Sequence, residues 1–237
     1  APLCLLAGRT GFAWVIAFIA SVAATITAAA LAYLTYHDGT ISYHMGGWAP
    51  PWGIEYVVDT ANAFILLLVS SIATMVLIYS PASVAKEIRP GRGHLYYCMY
   101  ILCLTGLLGI AITGDAFNVF VFLEVSSLSS YALIAMGGQR KALTAAFQYL
   151  VMGTIGATFY IIGVGLMYMM TGSLNIGDLA TLMPAVIETR TVLAALAFLV
   201  VGLSLKLALF PLHMWLPNAY AYAPSVVTAF LAATAAK

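Results

Sequence analysis

Long stretches without a charged side chain alternate with short segments in which the charges collect. Each uncharged stretch reaches the ~20 apolar residues that an α-helix needs to cross the hydrocarbon core of a bilayer. There are four of them, residues 11–36, 60–85, 95–114 and 142–177. Two further stretches contain one charge each, residues 116–139 with Glu124 and residues 191–236 with Lys206. The pattern predicts an all-α, polytopic bundle of transmembrane helices.

Proline interrupts the last of these stretches. Pro211, Pro217 and Pro224 fall within LFPLHMWLPNAYAYAP, and proline removes a backbone donor and breaks a helix. We therefore expect a kinked helix over residues 191–216 and the start of another at Pro224. Backbone groups freed by Pro211 must find partners inside the protein, because lipid offers none.

The whole chain, residues 1–237, is predicted to form a single transmembrane domain with about six full crossings and partial helices at both ends. Both ends lie inside apolar runs, so we expect a segment of a longer protein. The connections are short apart from residues 36–55, where Trp48 and Trp52 are placed like interfacial anchors. Gly114 followed by Asp115 predicts a helix stop and an N-cap, and thus a very tight turn.

The composition supports a membrane protein and excludes several other classes. Hydrophobic side chains make up 63% of the chain and charged ones 7%, against about 25% charged in soluble domains. A net charge of +1 without a basic block gives no footprint for nucleic acid. Three cysteines without CxxC spacing and four histidines without ligand spacing predict neither a disulfide framework nor a metal site. Because catalytic and nucleotide-binding motifs are missing as well, we expect no cofactor and no enzyme site within this chain.

The basic residues predict the orientation in the membrane. When the crossings alternate, one side carries six basic residues and the other only Arg190. The six are Arg9, Lys86, Arg89, Arg92, Arg140 and Lys141. The positive-inside rule makes their side cytoplasmic. We therefore expect a multi-pass protein of a bacterial inner membrane, with cytoplasmic segments near residues 9, 81–94, 137–142 and 217–224.

Three charges fall at the middle of predicted crossings. Glu124 follows the predicted N-cap by nine residues, or about 13 Å of helix. Lys206 and Lys237 lie about 22 and 20 Å from the starts of their helices, in a hydrocarbon core about 30 Å thick. Each such charge costs about 2.5–3.5 kcal/mol even on a lenient insertion scale, and residues kept at that cost are usually functional or paired.

Two lysines and a glutamate at this depth have the chemistry of a proton relay. The proton affinity of a buried amine depends on whether a carboxylate lies beside it, so moving the carboxylate moves the proton. His213 follows Lys206 by seven residues and would share its face, about 10 Å away, on an unbroken helix. Ser127 lies one turn after Glu124, where its hydroxyl could bond the carboxylate or a water.

Each of these residues also has a structural interpretation. Glu124 and Lys206 can form a buried ion pair that only fixes the helices. Lys237 can reach an interface with its long side chain. His213 can cap carbonyls freed by Pro211. Asp115 is either a helix cap or a point of access for ions, and the cap is favoured.

Several long motifs resemble a known superfamily. They are GDAFNVFVFLEVSSLSSYALIAMGGQRKA (residues 114–142), LKLALFPLHMWLPNAYAYAP (205–224) and the final SVVTAFLAATAAK. They are similar to the antiporter-like membrane subunits of respiratory complex I and of Mrp-type antiporters, and nearly the whole chain is covered. GGWAPPWGIEYVVDTANAFILLL (46–68) makes the chain most similar to the D-type subunit of the multisubunit Na+/H+ antiporters.

The resemblance implies a fold and a set of roles. Glu124 would pair with Lys206 in a broken helix, and His213 and Lys237 would continue the relay. These helices would form the N-terminal half of an inverted-repeat fold of some fourteen helices. The family usually has an acidic residue where WLPNAY has Asn218, so a role for that carboxylate in cytoplasmic proton uptake does not carry over.

The functional expectation is proton translocation, with exchange for Na+, in a complex with other membrane subunits. One alternative is a proton-pumping subunit of a quinone- or ferredoxin-linked oxidoreductase. An alternative of another class is a structural subunit whose charges only hold helices together.

Overall fold

The computed structural model describes residues 1–6 and 8–234. Helices dominate this part of the chain: α1 (Pro2–Leu6), α2 (Thr10–Asp38), α3 (Thr60–Glu87), α4 (Gly93–Ile112), α5 (Ala116–Ala135), α6 (Arg140–Thr171), α7 (Ile176–Val186), α8 (Arg190–Lys206), α9 (Leu216–Tyr222) and α10 (Ser225–Thr234). Two short strands, β1 (Ile41–His44) and β2 (Glu55–Val58), pair as an antiparallel hairpin between α2 and α3.

Five helices in the described residues, α2 to α6, are long and apolar enough to cross a membrane. Their outward faces carry large apolar side chains such as Phe12, Met75 and Phe147, each more than 60% exposed. Such a surface suits acyl chains rather than water. The prediction of a polytopic helical bundle is confirmed.

Three of the four glycines in α6 lie where a neighbouring helix approaches closely. A Cβ on Gly156 would lie 3.1 Å from the carbonyl oxygen of Gly202 in α8. Gly163 faces α8 in the same way, and a Cβ on Gly153 would overlap the Tyr131 hydroxyl of α5. Gly165 has open space around it. These contacts fix α8 against α6.

Two elements were not predicted. The connection after α2 contains the β1–β2 hairpin, in register from Ile41 opposite Val58 to His44 opposite Glu55. The segment before α8, expected to be a short connection, contains α7, whose residues are all at least partly exposed. Strands of four residues and an 11-residue helix are too short to produce a period that stands out in an apolar chain.

The prediction that one kinked helix continues over residues 191–216 is wrong. Helix α8 ends at Lys206, and the chain follows turns until α9 begins at Leu216. Proline lacks an N–H, and the ring of Pro211 would clash with the carbonyl four residues earlier in a continued helix. The indole of Trp215 donates to the Leu205 carbonyl (3.1 Å), which supplies a partner inside the protein for backbone near the break.

Candidate functional site

An ion pair joins α5 and α8 where the sequence places the middle of the membrane. The Lys206 ammonium lies 3.3 Å from a carboxylate oxygen of Glu124. The Lys206 side chain is 8% exposed and that of Glu124 is 23% exposed. Among the described residues this is the only ion pair within 4 Å. The structure therefore brings together the two charges that the sequence places at the middle of predicted crossings.

A serine completes the coordination of the ammonium. Lys206 Nζ donates to the Ser127 hydroxyl at 2.8 Å, which is shorter than its contact with Glu124. Ser127 is 4% exposed and lies one turn after Glu124 on α5. The sequence places Ser127 beside the carboxylate, whereas the structure shows its oxygen accepting from the lysine. Two of the three ammonium protons thus have named acceptors on α5.

Glycines set the distance between the helices that carry this pair. On α4, a Cβ at Gly106 would lie 2.6 Å from the backbone nitrogen of Ser126. On α6, a Cβ at Gly156 would contact Lys206 Cγ at 3.7 Å. Both glycines bring backbone close to the site, so α5 is held against α4 while the lysine stem packs on α6.

Lys206 lies between two cavities. The smaller, about 50 Å³, has Ser126, Ser127, Ser130 and Tyr149 among its lining residues. A cavity of this size with several polar partners can hold water. The larger, about 800 Å³, extends from Glu55 and Gly114 near the hairpin to Lys206 and Thr234. Lys206 therefore lines space on the side of the hairpin and space beside the serines of α5.

His213 does not share a helix face with Lys206, because α8 ends at the lysine. The 10 Å separation expected on a continuous helix therefore does not follow from the seven-residue spacing. Its Nδ1 is buried and has no hydrogen-bond partner among residues 1–6 and 8–234. The imidazole lies beside the Phe210 ring, with centroids 5.6 Å apart. The carbonyl near the break is bonded by Trp215 rather than by the histidine.

Lys237 lies outside the described residues. Helix α10 is described as far as Thr234, which is 7% exposed and lines the larger cavity together with Lys206.

Asp115 caps α5. Its carboxylate accepts from the backbone N–H of Asn118 at 2.7 Å, and the side chain is 7% exposed. Burial raises the pKa of this carboxyl above its ordinary value, although the backbone donors oppose the shift. The geometry is that of the N-cap that the Gly114–Asp115 turn predicts.

A second carboxylate, on the hairpin, ties the elements of this face together. Glu55 accepts from the Ser42 hydroxyl and, at 2.7 Å, from the side-chain amide of Asn175. Its backbone carbonyl accepts from Gly114 N–H at 2.8 Å. The Ser42 hydrogen bond, reinforced by Asn175, holds the pKa of Glu55 below its ordinary value despite partial burial. Glu55 therefore connects the hairpin, the α4–α5 turn and the start of α7 at the rim of the larger cavity.

Two contacts near the site have no clear signal in the sequence. Tyr149, which lines the small cavity, stacks on Trp215 with ring centroids 3.9 Å apart and planes 2° from parallel. Glu55 and Asn175 are 120 residues apart. For the contact between Glu55 and Asn175, the only feature visible in the sequence is the polar Glu55 at the start of a short strand, and the apolar pattern does not reveal that strand.

Comparison with known proteins identifies similar sequences. Residues 113–237 match the family described as NADH:quinone oxidoreductase/Mrp antiporter, TM. The chain is 48% identical over 195 residues to the N-type subunit of the NADH-quinone oxidoreductase of Desulforudis audaxviator, covering 82% of the chain and 38% of that protein. It is 33% identical over 216 residues to the D-type subunit of the Na(+)/H(+) antiporter of Alkalihalophilus pseudofirmus, covering 91% of the chain and 43% of that protein.

Solved structures show the same fold. The chain superposes on a subunit of the archaeal membrane-bound sulfane sulfur reductase with a TM-score of 0.87 and 32% identity, covering 99% of the chain and 50% of that subunit. For the Mrp complex of Dietzia sp. DQ12-45-1b the TM-score is 0.88 and the identity 28%, covering 99% and 43%. The chain thus spans between 38% and 50% of the length of these relatives.

Proposed function

Because the chain belongs to the NADH:quinone oxidoreductase/Mrp antiporter transmembrane family, we propose that it translocates protons as part of the D-type subunit of a multisubunit cation/proton antiporter. The observation that carries this proposal is the Lys206–Glu124 ion pair, whose lysine lines two cavities. The sequence places this pair near the middle of the membrane, where a charge without a function or a partner is costly. Two relatives named as D-type subunits of Na(+)/H(+) antiporters match more than 90% of the chain.

In the proposed mechanism Lys206 holds the proton. While Glu124 lies beside it, the carboxylate stabilises the ammonium, and Ser127 fixes the direction of Nζ. When the carboxylate moves away, the desolvated amine releases its proton to water in the adjoining cavity. His213, whose buried Nδ1 has no hydrogen-bond partner among the described residues, passes it toward Lys237. The roles of His213 and Lys237 are proposals from the family resemblance and the histidine's chemistry.

The proposal extends to the whole protein. Residues 1–237 would be the N-terminal part of an inverted-repeat subunit in a bacterial inner membrane, with the six basic residues on the cytoplasmic side. Other membrane subunits would surround it, and Na+ would be the exchanged cation.

A second candidate is a proton-pumping subunit of a redox-linked complex. It is favoured by one observation, the 48% identity to a relative named as the N-type subunit of an NADH-quinone oxidoreductase. The relay would be the same in both cases, but the driving force would come from electron transfer rather than from a cation gradient. Proton movement that requires a respiratory substrate would identify this second function.

The test of the relay against a structural role is a paired substitution. Replacing Glu124 by Gln and Lys206 by Met together removes both charges and keeps similar volumes. A purely structural pair tolerates such apolar replacement, and often becomes more stable. We expect the double variant to assemble normally and to lose proton exchange in sealed vesicles. Retained exchange would reduce the pair to a structural role, and Arg190→Ala is the matched control for loss of a charge on α8.

A further inference from the structure

A cleft on the basic side of the molecule is separate from the Lys206 site. It has a volume of about 460 Å³ and lies between the start of α2, the end of α3 and the start of α4. We propose that this basic-side cleft binds an anionic phospholipid, with an acyl chain in the cleft and the phosphate at Arg89. The proposal does not depend on proton transport.

The apolar walls of the cleft are built around a proline. Pro81 cannot donate to the Leu77 carbonyl one turn earlier in α3. The Trp14 indole of α2 donates to that carbonyl instead, at 2.9 Å. The Tyr97 hydroxyl is likewise occupied, at 3.3 Å from the Ser80 hydroxyl. Because the polar atoms of both aromatic walls are used within the protein, the walls offer a ligand apolar surface.

The depth of the cleft matches the boundary between headgroups and acyl chains. Trp14 lies four residues into α2, about 6 Å from its start. Pro81 lies six residues before the end of α3, about 9 Å from it. Amphipathic ligands and helices sit about 5–10 Å into this boundary region. A lipid can therefore place its chain between the aromatic walls while its phosphate stays at the helix ends.

The mouth of the cleft is positively charged. Arg89 lines it, is exposed, and has no acidic partner within 4 Å among the described residues. Arg9 and Arg92 flank lining residues in the chain. The acid closest in sequence, Glu87, accepts from the hydroxyl of Ser83 and from Ser225 N–H of α10, and so is already engaged elsewhere. Basic sites between helices on the cytoplasmic side are typical of anionic headgroups, which distinguishes this ligand from a zwitterionic lipid.

Photocrosslinking in nanodiscs tests the proposal. The full-length protein with its partner subunits is placed in phosphatidylcholine nanodiscs containing a trace of phosphatidylglycerol with a diazirine-labelled acyl chain. We expect crosslinks to concentrate on the ends of α2 and α3 that form the cleft. Arg89→Gln should lower their yield about fivefold, the factor that corresponds to about 1 kcal/mol for one basic residue near a membrane surface. Ala85→Trp, an exposed position lining the cleft, should remove these crosslinks by filling the space.

Two controls make the result decisive. Arg190→Gln removes a charge from the opposite end of the bundle and should leave the yield unchanged. The same diazirine on phosphatidylcholine should label the cleft at least fivefold more weakly, on the same charge argument. Equal labelling by both lipids, an unchanged yield in Arg89→Gln, or crosslinks spread evenly over the lipid-facing helices would overturn the proposal.

Discussion

At the scale of single residues, Lys206 is the group whose environment most needs an explanation. An ammonium with 8% exposure keeps its charge only if acceptors replace the water it has lost. Glu124 and Ser127 supply these acceptors from one turn of α5. Since the serine contact is the shorter one, the hydroxyl fixes where Nζ points while the carboxylate supplies the charge.

Ser127→Ala is expected to reduce proton exchange without preventing assembly. A hydrogen bond to a charged group is worth about 1.5–3 kcal/mol, so losing it should slow exchange about tenfold or more. Ser129→Ala is the matched control, because the Ser129 hydroxyl bonds the Val125 carbonyl of its own helix. Exchange rates in vesicles carrying equal amounts of protein check this, and equal rates in the two variants would contradict a role for Ser127.

Substitution of Asp115 distinguishes its two possible roles, a helix cap and a point of ion access. Burial raises the pKa of the Asp115 carboxyl. Between pH 3.8 and the raised value, the folded protein therefore binds more protons than the unfolded chain. The stability of the fold falls as the pH rises through that window. Asparagine caps as well as aspartate without the buried charge. Asp115→Asn should therefore be at least as stable as the wild type at pH 7, and this advantage should disappear at acidic pH.

The measurement is the melting temperature of the full-length protein in detergent, with Asp115→Ala for comparison, which should lose about 1 kcal/mol with the cap. We also expect Asp115→Asn to retain exchange. A stable Asp115→Asn protein without exchange would instead assign the carboxylate to ion access.

The site could be predicted from sequence only as far as charge and depth allow. Glu124 and Lys206 stand out because charges in long apolar runs are rare, and that rarity is visible without a structure. Helical spacing placed Ser127 beside the Glu124 carboxylate, but the contact between Ser127 and Lys206 was not predictable, because it depends on how α5 and α8 pack. The spacing between His213 and Lys206 could be predicted only for a continuous helix, and Pro211 breaks that helix.

At the scale of elements, packing between α6 and α8 sets the position of Lys206. Their contact is backbone against backbone at Gly156 and Gly202. The long helices were predictable because charge-free runs mark them. The hairpin and α7 were not, because their stability comes from contacts such as Glu55 with Asn175 rather than from a local pattern.

Gly202→Ala is expected to destabilise the protein. Its Cβ would lie 2.7 Å from the Gly156 carbonyl oxygen and from the Tyr160 nitrogen, both backbone atoms that cannot move independently. Overpacking of this kind costs about 1–3 kcal/mol. Gly165→Ala adds the same methyl group to open space on α6 and should leave the melting temperature unchanged or higher. Equal melting temperatures in the two variants would show that α6 and α8 pack less closely than described.

At the scale of the whole molecule, the ends of the helices form two faces with different charge. One face carries the hairpin, the α4–α5 turn and α7, held together by Glu55, Asp115 and Asn175. The other carries six basic residues and the basic-side cleft. The larger cavity opens from the first face toward Lys206, whereas α9 and the break lie toward the second. The described cavities therefore lead to Lys206 from the face of the hairpin.

Labelling from opposite sides tests the orientation. Ser42→Cys lies on the hairpin and Gln139→Cys precedes α6 at the basic face. In sealed right-side-out vesicles, we expect a membrane-impermeant thiol reagent to label the first and not the second, because basic residues stay on the cytoplasmic side. The three native cysteines are buried, so their background should be low. Labelling of both positions from one side would contradict the alternation of crossings.

The proposed relay is tested most directly by Na+-dependent proton exchange, measured in everted vesicles that contain the full-length complex. A pH-sensitive dye would follow exchange without a respiratory substrate, in wild type, Lys206→Ala and the control Arg190→Ala. We predict exchange in the wild type and the control and its loss in an assembled Lys206→Ala protein. Normal exchange in Lys206→Ala would show that protons cross the membrane without this lysine and would contradict the relay.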